Sequence, residues 1–213
     1  MTDELFQKLP ASLVADIYYS GAVVLEGFEM VGKSYLLNGI KEKYEEYNQP
    51  VLAYRPDWEG SLNDKVISRG NRYIPGIVLF DIWKNLNSTS KPKLLLDRWL
   101  ASTYVYSIMY DQEQDCKYIS DMIKGHEDAV GSDMKLIFIY KCHKNNDEAR
   151  EFYDMAINDN DHSDKYDKFE DFEDYYRNYE KADALYRNFF KSMCKFKVYC
   201  ISSIDNELIE EFN

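Results

Sequence analysis

Between an apolar run, Ala22-Val-Val-Leu-Glu26, and a stretch of helix formers that begins at Lys33, the chain reads Gly27-Phe28-Glu29-Met30-Val31-Gly32-Lys33-Ser34. This is G-x-x-x-x-G-K-[ST], and it constrains the fold more than any other part of the sequence. The pattern requires a strand, a tight glycine turn and a helix in immediate succession, so that backbone N–H groups converge at a helix N-terminus. The glycines allow backbone conformations and close approaches that a Cβ would block. These eight residues are therefore expected to cradle nucleotide phosphates. Lys33 would reach the β- and γ-phosphates, and the Ser34 hydroxyl would hold Mg²⁺.

The other apolar runs fit the same architecture. Strands are expected at Ala22–Glu26, Val51–Tyr54, Lys93–Asp97, Lys135–Tyr140 and Phe196–Ile201, each short and nearly continuous in apolar character. Strands buried on both faces of a parallel sheet read this way. Helical stretches alternate with them, over Asp3–Tyr18, Lys33–Tyr47, Gly76–Asn85, Leu100–Lys124 and Asp167–Cys194. The alternation predicts one doubly wound α/β domain spanning residues 1–213. The acidic segment Asn158–Asp174 reads as mobile.

Composition narrows the function. With 45% hydrophobic residues in 213, the chain can fill a complete core. Its 26 Lys+Arg against 38 Asp+Glu give a net charge of −12. Broad contact with a phosphate backbone needs the opposite sign, which argues against a dedicated duplex-binding protein but allows a small basic pocket in an acidic shell. The start, Met1-Thr-Asp-Glu-Leu-Phe, lacks the basic and apolar regions of a secretory signal, and no apolar run approaches the roughly 18 residues that span a bilayer. A cytoplasmic protein with no membrane partner is expected. Cys116, Cys142, Cys194 and Cys200 form no C-x-x-C pair, so free thiols are expected rather than zinc ligands.

Some patterns carry less chemistry than they suggest. Asp159, Asp161, Ser163, Asp167 and Glu170 have calcium-loop spacing, but Asp164 stands where that loop needs glycine. Phe169, Phe172, Tyr175, Tyr176 and Tyr179 recur at helical spacing and read as packing. Cys142-His143 at a strand end reads as incidental.

A second carboxylate closes the strand Leu94-Leu95-Leu96-Asp97 and is followed at once by Arg98. An aspartate there can organise Mg²⁺ or act as a base, and a guanidinium suits transferring phosphates. Here the chain resembles the thymidylate kinase family. Leu25-Glu-Gly-Phe-Glu-Met-Val-Gly-Lys-Ser34 is similar to the family's F-E-G-x-[DE]-G-x-G-K-[ST]. Asp97-Arg98-Trp99-Leu-Ala-Ser102-Thr-Tyr-Val-Tyr106 is similar to D-R-Y-x-x-S-x-x-A-Y. Leu79-Phe80 and Asp167-Lys-Phe-Glu170 are shorter matches to L-F and D-R-F-E.

The resemblance implies a P-loop NTPase fold with a five-stranded parallel sheet of order 2-3-1-4-5, a mobile lid around 142–170, and a homodimer. It implies ATP as donor and Mg²⁺ held at Ser34 and Asp97. Arg98 would hold the acceptor phosphate, and Arg55, in Tyr54-Arg-Pro-Asp57, would be its second clamp. Phe80 would stack on the acceptor base, Tyr106 would lie against the deoxyribose, and Ser102 would line the same site. Trp83 stands where the family carries the arginine that reads thymine, and Ser107 where it carries glutamine. Both departures touch the base and neither touches the phosphates. Because the loop has no arginine, a lid cation is implied; among Lys144, Arg150, Lys165 and Lys168, Arg150 suits a spread charge best.

The function implied is ATP-dependent phosphorylation of a deoxynucleoside monophosphate, dTMP or a modified thymidylate. An alternative keeps the transfer but takes a 5-hydroxymethyl-uracil hydroxyl on DNA as acceptor, as virus-type members of the family do in thymine hypermodification. A further alternative is a non-catalytic P-loop nucleotide-binding protein.

Overall fold

The structure, a computed structural model, describes residues 2–55, 74–86, 91–109, 121, 136–158 and 169–212. Strands β1 (Ala22–Glu26), β2 (Val51–Tyr54), β3 (Lys93–Asp97), β4 (Leu136–Cys142), β5 (Lys197–Ser202) and β6 (Leu208–Phe212) form one sheet, ordered β2-β3-β1-β4-β5-β6. All neighbours pair in parallel except β6, which runs antiparallel to β5. The parallel part thus has the order 2-3-1-4-5. β6 adds an edge that the sequence does not announce, since Leu208-Ile-Glu-Glu-Phe212 buries only its last residue.

Strand side chains alternate between two faces, and each face has its own layer. Val23, Leu25, Leu95, Ile137, Ile139, Tyr199 and Ile201 pack on α1 (Thr2–Lys8), α2 (Ala11–Tyr19) and α3 (Lys33–Glu46). Ala22, Val24, Leu94, Leu96, Phe138, Tyr140 and Val198 pack on α4 (Ile74–Lys84), α5 (Leu100–Met109), α6 (Asn146–Asn158) and α7 (Phe172–Ser192). Burial on both faces is why these strands read as continuous apolar runs.

Several boundaries differ from expectation. The helix expected over 3–18 is two helices, α1 and α2, because Pro10 has no N–H to donate and its ring opposes the preceding turn. The region expected to form a lid contains α6, where the Asn145 side chain accepts the Glu148 N–H at 2.9 Å and Ala149, Tyr153 and Ala156 face the core. Helix α7 starts only at Phe172, capped by Asp171, whose carboxylate accepts the Asp174 N–H at 2.8 Å. The remainder of the lid, the calcium-loop spacing over 159–168, and the expected helix beyond Met109 (residue 121 apart) lie outside the described residues. Cys142, Cys194 and Cys200 are buried free thiols, with the first and last facing each other at 3.1 Å. Among the described residues, no helix is long and apolar enough to cross a membrane.

Leu13, fully buried, fastens α2 to the sheet. Leu13→Ala is expected to cost about 2–4 kcal/mol through lost transfer energy and a residual cavity, read from the urea midpoint at unchanged slope.

Candidate active site

The phosphate loop leaves the middle of the sheet. Strand β1 lies between β3 and β4, with Leu25 opposite Asp97 and Glu26 opposite Tyr140. The chain must turn at Gly27 directly over β4. Its φ is 139°, and a Cβ there would meet the Lys141 carbonyl oxygen at 2.4 Å, so only glycine fits. Met30 and Gly32 are also left-handed, at φ 55° and 76°. Gly32 caps α3 without a side-chain hydrogen bond, which leaves the helix N-terminus to the loop. Lys33 is 6% exposed and its ammonium donates to the Phe28 carbonyl. Burial, then the Arg98 charge, push this ammonium well below its ordinary pKa; Asp97, Glu29 and Glu26 oppose that shift. Such a cation is stabilised by an incoming anion.

Three residues of the next crossover join it. Asp97 is buried; its Oδ2 lies 3.5 Å from Arg55 Nε, while its Oδ1 has no hydrogen-bond partner among the described residues. Arg98 holds a left-handed backbone, φ 70°, fixed by its N–H donating to the Leu25 carbonyl at 2.8 Å. Its guanidinium donates to the Tyr106 hydroxyl at 2.8 Å and lies over the Tyr106 ring. Tyr106 in turn stacks on Phe28 of the loop. A non-glycine residue with positive φ is costly, and persists where the surroundings over-determine it.

Under the loop lie buried polar groups. Glu26 accepts the Trp99 N–H at 2.8 Å on one oxygen and meets the Ser102 hydroxyl with the other; Ser102 lies 2.8 Å from the Tyr186 hydroxyl, which donates to the Gly27 carbonyl at 3.2 Å. On the other side, Lys141 donates to the Ser203 carbonyl and Asn206 Oδ1 at 3.0 and 2.7 Å, and burial pushes its pKa down to about 8. His143 Nδ1 meets Ser203 Oγ at 2.6 Å and its Nε2 meets the Tyr175 hydroxyl at 2.7 Å. Ser203 donates to Glu148 at 2.9 Å, so the imidazole must donate from Nδ1 and accept at Nε2. Burial pushes its pKa down to about 4, in keeping with that neutral form. The Tyr175 oxygen also lies 3.3 and 3.5 Å from the Glu29 and Met30 carbonyls, so α7 sits against the tip of the loop while the one phenolic proton goes to His143 Nε2.

The structure therefore brings Lys33, Arg55, Asp97, Arg98 and Tyr106 to one sheet edge with the loop. The remaining expected residues lie elsewhere. Phe80 and Trp83 are 0% and 1% exposed in the core, Phe80 against Trp99 and Trp83 donating to the Pro92 carbonyl at 2.7 Å. Ser102 is fully buried on Glu26. Arg150 lies over the Phe172 ring and pairs with Glu173 at 3.0 Å, its side chain half exposed. His143, read from the sequence as incidental, is hydrogen-bonded through both ring nitrogens. Glu26 and Lys141 escaped the sequence reading. Their one trace is an ionisable residue at the end of an apolar strand, the same pattern that marks Asp97. The aromatic stripe does pack, with Phe169, Tyr175 and Tyr179 around Phe28, but Tyr175 also hydrogen-bonds.

No family model and no curated protein matches the chain. Among solved structures it is similar to polyphosphate kinase 2 from Arthrobacter aurescens TC1, with a TM-score of 0.52 and 13% identity, over 96% of this chain and 68% of that one. The fold is that of a P-loop kinase. The likeness is one of fold, and it does not single out the thymidylate kinases.

Gly27→Ala is expected to destabilise by at least about 2 kcal/mol, since both its φ and the Lys141 carbonyl oppose a Cβ, and to abolish nucleotide binding in a titration with Mg-ATP. The lowered His143 pKa means that the folded state binds fewer protons than the unfolded one. Its contribution is present above pH 6.5 and is lost as pH falls toward about 4. Thermal unfolding of His143→Gln should therefore show a smaller acid loss over that window than wild type.

Proposed function

We propose that the chain transfers a phosphoryl group from ATP, with Mg²⁺, to the phosphate of a deoxynucleoside monophosphate of the thymidylate type. The observation that carries this reading is the convergence of Lys33, Asp97, Arg98 and Arg55 beside the N-terminus of α3. A loose phosphoryl transition state asks for positioning and neutralised charge, and these groups can supply both.

The residues present fit Mg²⁺. Asp97 Oδ1 is a buried oxygen with no partner among the described residues, and Ser34 lies half-buried in the first turn of α3. Hard oxygen ligands suit this ion, which needs only one or two from protein beside waters and substrate phosphates. When bound, it would neutralise charge shared between the transferring phosphates. The N–H groups of Phe28–Ser34 and the Lys33 ammonium would hold the donor. Arg98, oriented by Tyr106, and the more exposed Arg55 would clamp the acceptor phosphate. Arg150, paired with Glu173, would have to leave that partner to act as a lid cation. The burial of Phe80 and Trp83 argues that base discrimination depends on other residues.

One observation favours a hydroxyl acceptor as the second reading: the unpartnered Asp97 Oδ1 could take a hydroxyl proton. Labelled ATP offered with dTMP, the other deoxynucleoside monophosphates, hydroxymethyluracil-containing DNA and inorganic polyphosphate separates the acceptors. Absence of transfer to any of them, with tight ATP binding, would leave only a nucleotide-binding role.

Lys33→Ala is expected to lower turnover by about 10²–10³ without unfolding, since its charge serves ligand rather than core. Near-normal turnover in a folded variant would refute the assignment of the loop. Asp97→Asn should be partly rescued by raised Mg²⁺ if the acceptor is a phosphate, and not if it is a hydroxyl. Arg98→Lys keeps the charge but loses the fork, so kcat/KM for a monophosphate should fall by about tenfold or more.

A further inference from the structure

Glu26, Ser102 and Tyr186 are each fully buried, and they come from three elements: β1, α5 and α7. Their hydrogen bonds form one connected path. It starts at the Trp99 N–H, which follows Arg98 in the chain, and passes through both Glu26 oxygens, Ser102 and Tyr186. It ends on the carbonyl of Gly27, the first residue of the phosphate loop. Both ends land on unusual backbone, Arg98 at φ 70° and Gly27 at φ 139°. Such conformations need surroundings that hold them.

Counting protons shows how the path is completed. Three links join Glu26 Oε2 to the Gly27 carbonyl, and Ser102 and Tyr186 own one proton each. With Glu26 ionised, Ser102 donates to it and Tyr186 donates to Gly27. Two oxygens then face each other at 2.8 Å with no proton between them. A protonated Glu26 supplies the missing one: Glu26 donates to Ser102, Ser102 to Tyr186, and Tyr186 to Gly27.

We propose that Glu26, Ser102 and Tyr186 are positioning residues for phosphoryl transfer, a relay that fixes the Arg98 turn and the Gly27 end of the phosphate loop against each other. This rests on the phosphotransferase reading for its consequence, though not for its geometry. Ser102 thereby acts through Glu26 and the backbone, without touching an acceptor. Burial pushes the Glu26 carboxyl up to about 7, opposed by Ser102, the Trp99 N–H and the Arg98 charge. The ionisable groups around it are Arg98 ahead of α5, Lys33 on α3 and Tyr186 on α7.

The test uses the full chain with Mg-ATP and whichever acceptor wild type phosphorylates best. Glu26→Gln keeps an oxygen for the Trp99 N–H and places a donor on Ser102, copying the protonated relay. It should hold kcat/KM within about threefold of wild type at pH 6.5, and decline less than wild type toward pH 8.5. Tyr186→Phe removes the last link and should lower kcat/KM about tenfold, beside a Tm lower by a few degrees because the Gly27 carbonyl loses its partner. A second measurement, thermal unfolding without ligand, needs no activity. The raised pKa of Glu26 makes its contribution full below its ordinary value of 4.5 and lost as pH rises through about 7, so wild type should lose more stability over that window than Glu26→Gln.

Both variants matching wild type in pH profile and unfolding would overturn the relay. A Tyr186→Phe protein that melts lower but turns over normally would make it scaffolding only, which also overturns the proposal. If wild type transfers nothing, yet Glu26→Gln removes the pH-dependent loss of stability, the relay stands as geometry and the phosphotransferase reading falls.

Discussion

Several ionisable groups, Glu26, Lys33, Asp97, Arg98 and Lys141, are all but buried at one sheet edge, each 6% exposed or less. Placing charges out of water is expensive unless each is paired, hydrogen-bonded or shifted toward its neutral form. All three remedies are visible here. Lys141 is held by a carbonyl and an amide oxygen, Arg98 by a phenol, and burial moves Glu26 and Lys33 toward neutrality. A chain of net charge −12 thus gathers three basic and two acidic side chains, all buried, at one sheet edge.

The second constraint is aromatic. Helix α7 supplies Tyr175, Tyr179 and Tyr186, and the rings of the first two surround Phe28. Two hydroxyls donate to backbone carbonyls at and beside the loop, Tyr186 to Gly27 and Tyr179 to His143, while Tyr175 gives its proton to His143 Nε2. Tyrosine suits this place because its ring packs as a core residue while its O–H satisfies a carbonyl that would otherwise be buried alone. The loop is thereby held from the side of α7.

Most of the architecture could be read from the residues. Apolar runs buried on both faces identified five strands, and Gly27 to Ser34 named the turn and the helix after it. Pro10 divided a helix that periodicity had joined. β6 escaped because an edge strand with one buried residue has no apolar run to betray it. Helix α6 escaped because its residues, Asn146-Asp-Glu-Ala149 onward, read as a charged lid although every third or fourth side chain turns inward.

By itself the sequence determined the phosphate loop and the parallel sheet that carries it, because both follow from local backbone needs and from side-chain periodicity. Only the tertiary structure decided which residues face the site. Phe80 and Trp83 sit inside the core, while Glu26, silent in the sequence, and His143, read there as incidental, lie beneath the loop. The reason is distance along the chain. The partners of Glu26 lie 73 and 76 residues away, and the Gly27 carbonyl meets a phenol 159 residues on. No local pattern records such meetings; they exist only once the sheet has brought the ends of its strands together.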